Sequence, residues 1–182
     1  GLSSVRFAYM DNWVLAAGSI VLAGILDGLD GRIARLLNAQ SRFGAELDSL
    51  SDVIAFGVSP ALVMFLWSTQ YMPQFGWVLA LTMAVGCALR LARFNALIDD
   101  DDQPHKSAGF LTGIPAPVGA GLAMLPLYLW MITDLEIFRH YALVSPWIVL
   151  IAFLMISNTA TYSWSSLRLR KNIRLEGIAV VA

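Results

Sequence analysis

The chain has 182 residues, 58% of them hydrophobic and only 14% charged. A soluble domain carries about 25% charged residues, so this composition excludes an ordinary water-soluble globule. The formal net charge of -1 gives no sign of a nucleic-acid partner, and the single cysteine, Cys87, excludes an intramolecular disulfide and most zinc sites.

Apolar runs of about 18–25 residues recur along the chain, which predicts an all-α fold, a polytopic bundle of transmembrane helices. Residues 1–9 read as the tail of a helix whose body lies outside the sequence. Spans are predicted over 12–37, 43–67, 76–97, 115–132 and 143–164, with a new apolar run starting before Ala182. The whole of 1–182 therefore reads as a single integral-membrane domain lacking most of its first helix and truncated in its last. Polar connections fall at 38–41, 68–75, 99–112 and 134–140, and a basic segment at 168–174. Ten of the twelve Lys and Arg residues lie at alternate connections: Arg32, Arg35 and Arg42; Arg90, Arg93 and Lys106; Arg168, Arg170, Lys171 and Arg174. The positive-inside rule puts those three regions in the cytoplasm. Trp67 and Trp77 are expected near the outer interface, where indole rings settle. Cys87 reads as a small core residue.

The spans also carry ionisable groups, which are expensive in a bilayer and mark functional sites. Asp27 and Asp30 are three apart, and Asp48 and Asp52 four apart, so each pair shares a helix face. In an antiparallel hairpin turning near 39–40, Asp27 lies level with Asp52 and Asp30 with Asp48. Both pairs then sit about 10–20 Å from the turn at 1.5 Å of rise per residue. If the faces meet, four carboxylates converge on a pocket open to the cytoplasm. Like charges so close raise one another's pKa, and two divalent cations would relieve them. Oxygen-only ligands select Mg²⁺ or Mn²⁺, and two such metals form the usual clamp for phosphoryl transfer. Gly24, Gly28, Gly31, Ala34 and Gly44 keep bulk away from the carboxylates, either for close helix packing or to admit a ligand. Arg35 could pair with a carboxylate or hold a phosphate. Glu46 is expected to point off the aspartate face and pair locally.

These residues resemble the signature of the CDP-alcohol phosphotransferase family, D-x2-D-G-x2-A-R-x8-G-x3-D-x3-D, at every fixed position: Asp27, Asp30, Gly31, Ala34, Arg35, Gly44, Asp48 and Asp52. The resemblance implies a membrane enzyme that moves a phosphatidyl-type group from a CDP-linked lipid to an alcohol, releasing CMP. It implies that Asp27, Asp30 and Asp48 are metal ligands and that Asp52 is both ligand and general base. Asp27, Gly31, Ala34, Arg35 and Gly44 would line the CDP diphosphate site. The segments around Asp48 to Pro60, Ala88 to Asn95 and Phe110 to Pro117 look like the bacterial phosphatidylserine synthase branch. That branch implies CDP-diacylglycerol and L-serine as substrates, an inner-membrane location with a cytoplasmic active site, and a homodimer.

A serine carboxylate needs a cationic donor. Arg90 and Arg93, with Asn95, are candidates at the cytoplasmic end of their helix; the alternative is that the arginines anchor topology by reaching to headgroups. His105 and residues 99–102 read as solvated, and 168–174 as an inside anchor. The same chemistry on glycerol phosphate, inositol phosphate or an archaeal-type lipid substrate remains an alternative acceptor reading. A metal- or proton-coupled transporter is the other, although neither inverted repeats nor broken helices are evident.

Overall fold

The computed structural model describes residues 1–36, 42–98, 110–112, 114–157 and 160–162, with backbone only at 30–36, 42, 45, 97–98 and 110–112 and 160–162. His105, residues 99–102 and the 168–174 segment lie outside the described residues.

Helix α1 (Leu2–Tyr9) ends in a turn at Asp11, whose φ is 56°. Asn12 restarts the chain: its Oδ1 accepts from the Leu15 amide at 3.2 Å, satisfying one of the orphan donors of α2 (Trp13–Leu36). Helix α3 (Arg42–Asp52) runs without a break into a π-helical stretch, Val53–Val58, and then α4 (Ser59–Trp67). Pro60 explains the change of winding, because it has no N–H to continue the ladder. Ser59 Oγ adds a second bond, at 2.8 Å, to the Ile54 carbonyl that already accepts the Ser59 N–H at the end of the π stretch. A short 3₁₀ turn, Thr69–Tyr71, leads to α5 (Gly76–Ile98). At Gly76 a Cβ would stand 2.0 Å from the Thr69 carbonyl oxygen, so only glycine fits that entry.

Strand β1 (Phe110–Thr112) pairs antiparallel with β2 (Ala160–Tyr162), Leu111 opposite Thr161. This small ladder was not expected from the sequence; it joins the end of one connection to the segment after the last helix. Between the strands lie α6 (Ala116–Ala123), α7 (Leu125–Thr133), a 3₁₀ turn (Glu136–Arg139) and α8 (Tyr141–Ile156). The uninterrupted span expected over 115–132 is instead bent by 42° between α6 and α7. Pro126 cannot donate to the Leu122 carbonyl, which accepts instead from a backbone N–H at the end of α6 and from Trp147 Nε1 of α8 at 2.8 Å. The last helix, expected to reach 164, stops at Ile156, and Ser157 is already extended.

The fold is all-α apart from that ladder. Among the described residues, Glu46–Trp67 and Gly76–Ala96 are long and apolar enough to cross a membrane, and the bent α6–α7 pair makes a third candidate. Trp13–Leu29 and Tyr141–Ile156 are apolar but shorter. The protein is an integral membrane protein, and many large apolar side chains accordingly face outward, Leu22, Ile25 and Leu26 of α2 among them.

Helix α5 sits at the centre, packed on α8, the π stretch and α4, while α1 packs on α2 and α4. The core is built from Phe56, Met64, Trp67, Met83, Cys87, Met124, Leu127, Ile148 and Met155. Cys87 is buried there as expected. Trp77 is half-exposed near the start of its span, and Trp67, the last residue of the Glu46–Trp67 span, is fully buried against the rest of the protein. The cause is local: Arg139 Nε donates to the Trp67 carbonyl at 3.1 Å, Ser68 Oγ donates to the Arg139 carbonyl at 2.6 Å, and the Trp130 ring meets Trp67 edge-on at 5.9 Å. These contacts fold the loop between α7 and α8 over the end of α4.

Candidate active site

Asp27 and Asp30 lie on α2, and Asp48 and Asp52 on α3, as the spacing predicts. Asp27 and Asp52 are half-buried and Asp48 is exposed. The side chains of Asp30, Ala34 and Arg35 lie outside those described, and Gly31 is described only as helical backbone. Among the described residues no three His, Cys, Asp or Glu side chains gather as metal ligands do. Asp27, Asp48 and Asp52 all have described side chains, so the structure does not bring these three together as a ligand set, and Asp30 lies outside the described side chains. The donor chemistry of the four, carboxylate oxygens alone, fits a hard divalent cation.

The glycines of α2 divide into two kinds. A Cβ on Gly24 would stand 3.7 Å from Phe56 Cε1, ordinary packing distance against the π stretch. A Cβ on Gly28 would meet nothing within 4 Å. Gly24 thus belongs to a helix contact, whereas Gly28, one turn closer to the connection and next to Asp27, borders open space. Gly44, on α3, is exposed.

Helix α3 turns a polar edge to α5. None of its described side chains is buried, and only Ser49 and Asp52, three residues apart, are half-buried. Opposite them on α5, in antiparallel register, stand Asn95 and Arg90. Ser49 Oγ donates to Asn95 Oδ1 at 3.2 Å, and Asn95 Nδ2 lies 3.0 Å from Ser49 Oγ. Asn95 Nδ2 also donates to Glu46 Oε2 at 3.3 Å. Glu46 therefore pairs across to α5 and not locally, because it lies one turn before Ser49 on the same edge. Arg90 and Asp52 are close enough to interact electrostatically, and Arg90 Nε is buried without a hydrogen-bond partner. Farther along, the π stretch lies close against α5: a Cβ on Gly57 would stand 2.9 Å from Cys87 Cβ.

Arg93 lies on a different side of α5. Its Nη1 donates to the Ile156 carbonyl at 2.8 Å, supplying a donor to the C-terminus of α8. Of the three residues expected around the serine, then, Asn95 is engaged with α3, Arg93 with α8, and Arg90 with the charge of Asp52. Ser49 and the Gly57–Cys87 contact were not singled out in the sequence. The antiparallel register of α3 and α5 was the signal that could have found them.

At the opposite end of the bundle, Ser68, Tyr71, Glu136, Arg139, His140 and Tyr141 line an open cleft of about 430 Å³. Trp130 Nε1 donates to Glu136 Oε1 there at 3.3 Å, and the Arg139 guanidinium lies 5.7 Å from the Trp130 ring centroid. These contacts tie loops together and lie away from the aspartates.

The profile of the CDP-alcohol phosphatidyltransferase family matches residues 2–160. Similar proteins include the CDP-diacylglycerol–serine O-phosphatidyltransferase of Mycobacterium tuberculosis (strain ATCC 25618 / H37Rv), 52% identical over 120 residues, which are 66% of this chain and 42% of that one. That of Helicobacter pylori (strain ATCC 700392 / 26695) is 38% identical over 158 residues, 87% of this chain and 65% of the relative. A Methanocaldococcus jannaschii protein of the same name is 36% identical over 139 residues, 76% and 59% of the two chains. The aligned region thus spans between about two fifths and two thirds of these relatives.

Proposed function

Because the chain belongs to the CDP-alcohol phosphatidyltransferase family, we propose that it transfers the phosphatidyl group of CDP-diacylglycerol to the hydroxyl of L-serine, giving phosphatidylserine and CMP. The observation that carries this reading is the family match, which contains all eight positions of the aspartate signature. The names of the bacterial, archaeal and yeast relatives favour serine over glycerol phosphate or inositol phosphate.

In this reading 1–182 is one catalytic domain, and Asp27, Asp30, Asp48 and Asp52 would hold two divalent cations, Mg²⁺ or Mn²⁺. Bound there, the cations would neutralise the diphosphate and favour the developing charge on the acceptor oxygen. The open space beside Gly28 gives the diphosphate room next to Asp27, with Gly31, Ala34, Arg35 and Gly44 along its edge. Asp52 takes the proton of the serine hydroxyl. The serine oxygen forms a bond to the β-phosphorus as the bond from that phosphorus to the bridging oxygen breaks, and CMP leaves with the bridging oxygen. Arg90, beside Asp52, is the leading partner for the serine carboxylate, since its buried Nε still lacks an acceptor. Arg93 sets the end of α8 beside it. The concentration of Arg and Lys at alternate connections turns this site to the cytoplasm, at the inner membrane of a bacterial cell. We further propose a homodimer, as the family resemblance suggests.

The test is transfer from radiolabelled CDP-diacylglycerol in membranes, with serine, glycerol phosphate, inositol phosphate and inositol as acceptors. CMP release that depends on serine and on Mg²⁺ or Mn²⁺ is the expected result. Release with another alcohol and none with serine overturns the acceptor assignment.

A further inference from the structure

Helix α3 has an unusual standing in this fold. It carries two of the signature aspartates, yet none of its described side chains is buried, and Phe43, Leu47 and Leu50 all face outward. Apolar packing therefore does little to fix its rotation about its own axis. A rotation of one residue's worth, about 100°, would re-aim both Asp48 and Asp52. Besides the attraction between Asp52 and Arg90, several polar contacts that oppose such a rotation meet at one side chain. Asn95 of α5 meets Ser49 at 3.2 and 3.0 Å and Glu46 at 3.3 Å. Ser49 and Glu46 lie on either side of Asp48 in the sequence, so the clamp brackets it. An amide suits the position because it offers an acceptor to the serine hydroxyl and donors to both partners.

Resting on the proposed metal-dependent transfer, we propose that Asn95 is a positioning residue: by holding Glu46 and Ser49 it sets the rotation of α3 and thereby the geometry in which Asp48 and Asp52 meet their cation. It touches neither substrate. Residues that orient metal ligands from behind typically change metal affinity by about 10–100-fold when altered.

The contact can be inverted chemically. Asn95→Asp puts a second carboxylate beside Glu46, whereas Glu46→Gln combined with Asn95→Asp offers an amide donor to the new carboxylate, and Ser49 can still donate to it. Mn²⁺ binding to the full chain in nanodiscs, followed by electron paramagnetic resonance without any acceptor, is read alongside serine KM and kcat. Asn95→Asp should weaken Mn²⁺ binding by about 10-fold or more, lower kcat at fixed Mn²⁺, and leave serine KM nearly unchanged at saturating metal. The Glu46→Gln/Asn95→Asp pair should recover most of the Mn²⁺ affinity. Unchanged Mn²⁺ binding in Asn95→Asp overturns the proposal. So does a pair no better than the single variant, or a selective rise in serine KM, which would make Asn95 an acceptor contact. Mn²⁺ binding is measured without an alcohol, so this inference stands or falls separately from the choice of serine.

Discussion

Gly57 and Cys87 offer the sharpest test of how the catalytic span is seated. A methyl group on Gly57 would lie 2.9 Å from Cys87 Cβ, 3.2 Å from its Sγ and 3.5 Å from the Ala84 carbonyl oxygen. The first distance is below any ordinary carbon–carbon contact, and the opposing atom is a Cβ fixed to its backbone. Gly57→Ala must therefore push the π stretch away from α5. Overpacking of this kind typically destabilises by about 1–3 kcal/mol. At about 2–4 °C per kcal/mol for a chain of this size, Tm should fall by roughly 2–12 °C. Cys87→Ala should not rescue the variant, because it keeps the offending Cβ. Cys87→Gly should rescue it in part, less the roughly 1 kcal/mol that a glycine costs in a helix interior. The measurement is thermal unfolding of the purified protein in detergent, followed by intrinsic tryptophan fluorescence. A Gly57→Ala protein as stable as the parent, or equal rescue by Cys87→Ala and Cys87→Gly, would show that the two helices do not approach as described.

Four further outcomes follow from the site. Asp52→Asn should lower kcat by about 10²–10⁴-fold, the usual worth of a general base, while CMP binding changes little; retained turnover would remove that role. Arg90→Ala should raise the serine KM by about 10-fold or more, a charge-assisted hydrogen bond being worth about 1.5–3 kcal/mol, and raise the CDP-diacylglycerol KM far less; equal rises would argue against a carboxylate contact. Gly28→Leu should raise the KM for CDP-diacylglycerol while leaving Tm unchanged or higher, whereas Gly24→Leu should lower Tm, because only the latter faces Phe56; the opposite pattern would reverse their assignments. Trp147→Phe removes one of the two donors to the Leu122 carbonyl and should destabilise by about 0.5–1.5 kcal/mol, read as a lower Tm with kcat little changed.

The helices were legible in the sequence because a membrane leaves few ways to satisfy a backbone, so apolar length alone announces them. The aspartates were legible for the converse reason: charge has no place in such runs without a task. The π stretch was not legible. Val53–Val58 is as apolar as the α-helical turn after it, and only Pro60, just beyond its end, hints at a change of winding. The bend at Pro126 could have been read from the proline itself; what the sequence hides is that Trp147, twenty-one positions later, makes the bend tolerable. The burial of Trp67 was not legible either, because it depends on Arg139, a residue brought over it by a loop far along the chain. Asn95 was read as a candidate contact to the serine. Its partners became visible only with the register between α3 and α5.

The π stretch has a consequence for how the protein tolerates change. From Glu46 to Trp67 the chain is one continuous span to the bilayer. To its neighbours it is two shafts joined by a coupling. The half before the coupling has its angular phase set by hydrogen bonds to α5, and the half after it by the packing of Val63, Met64 and Trp67. A substitution in the second half can shift side chains against the core without turning the first by the same angle. The chemistry-bearing end is thus insulated from drift in the structural end, although no loop separates them.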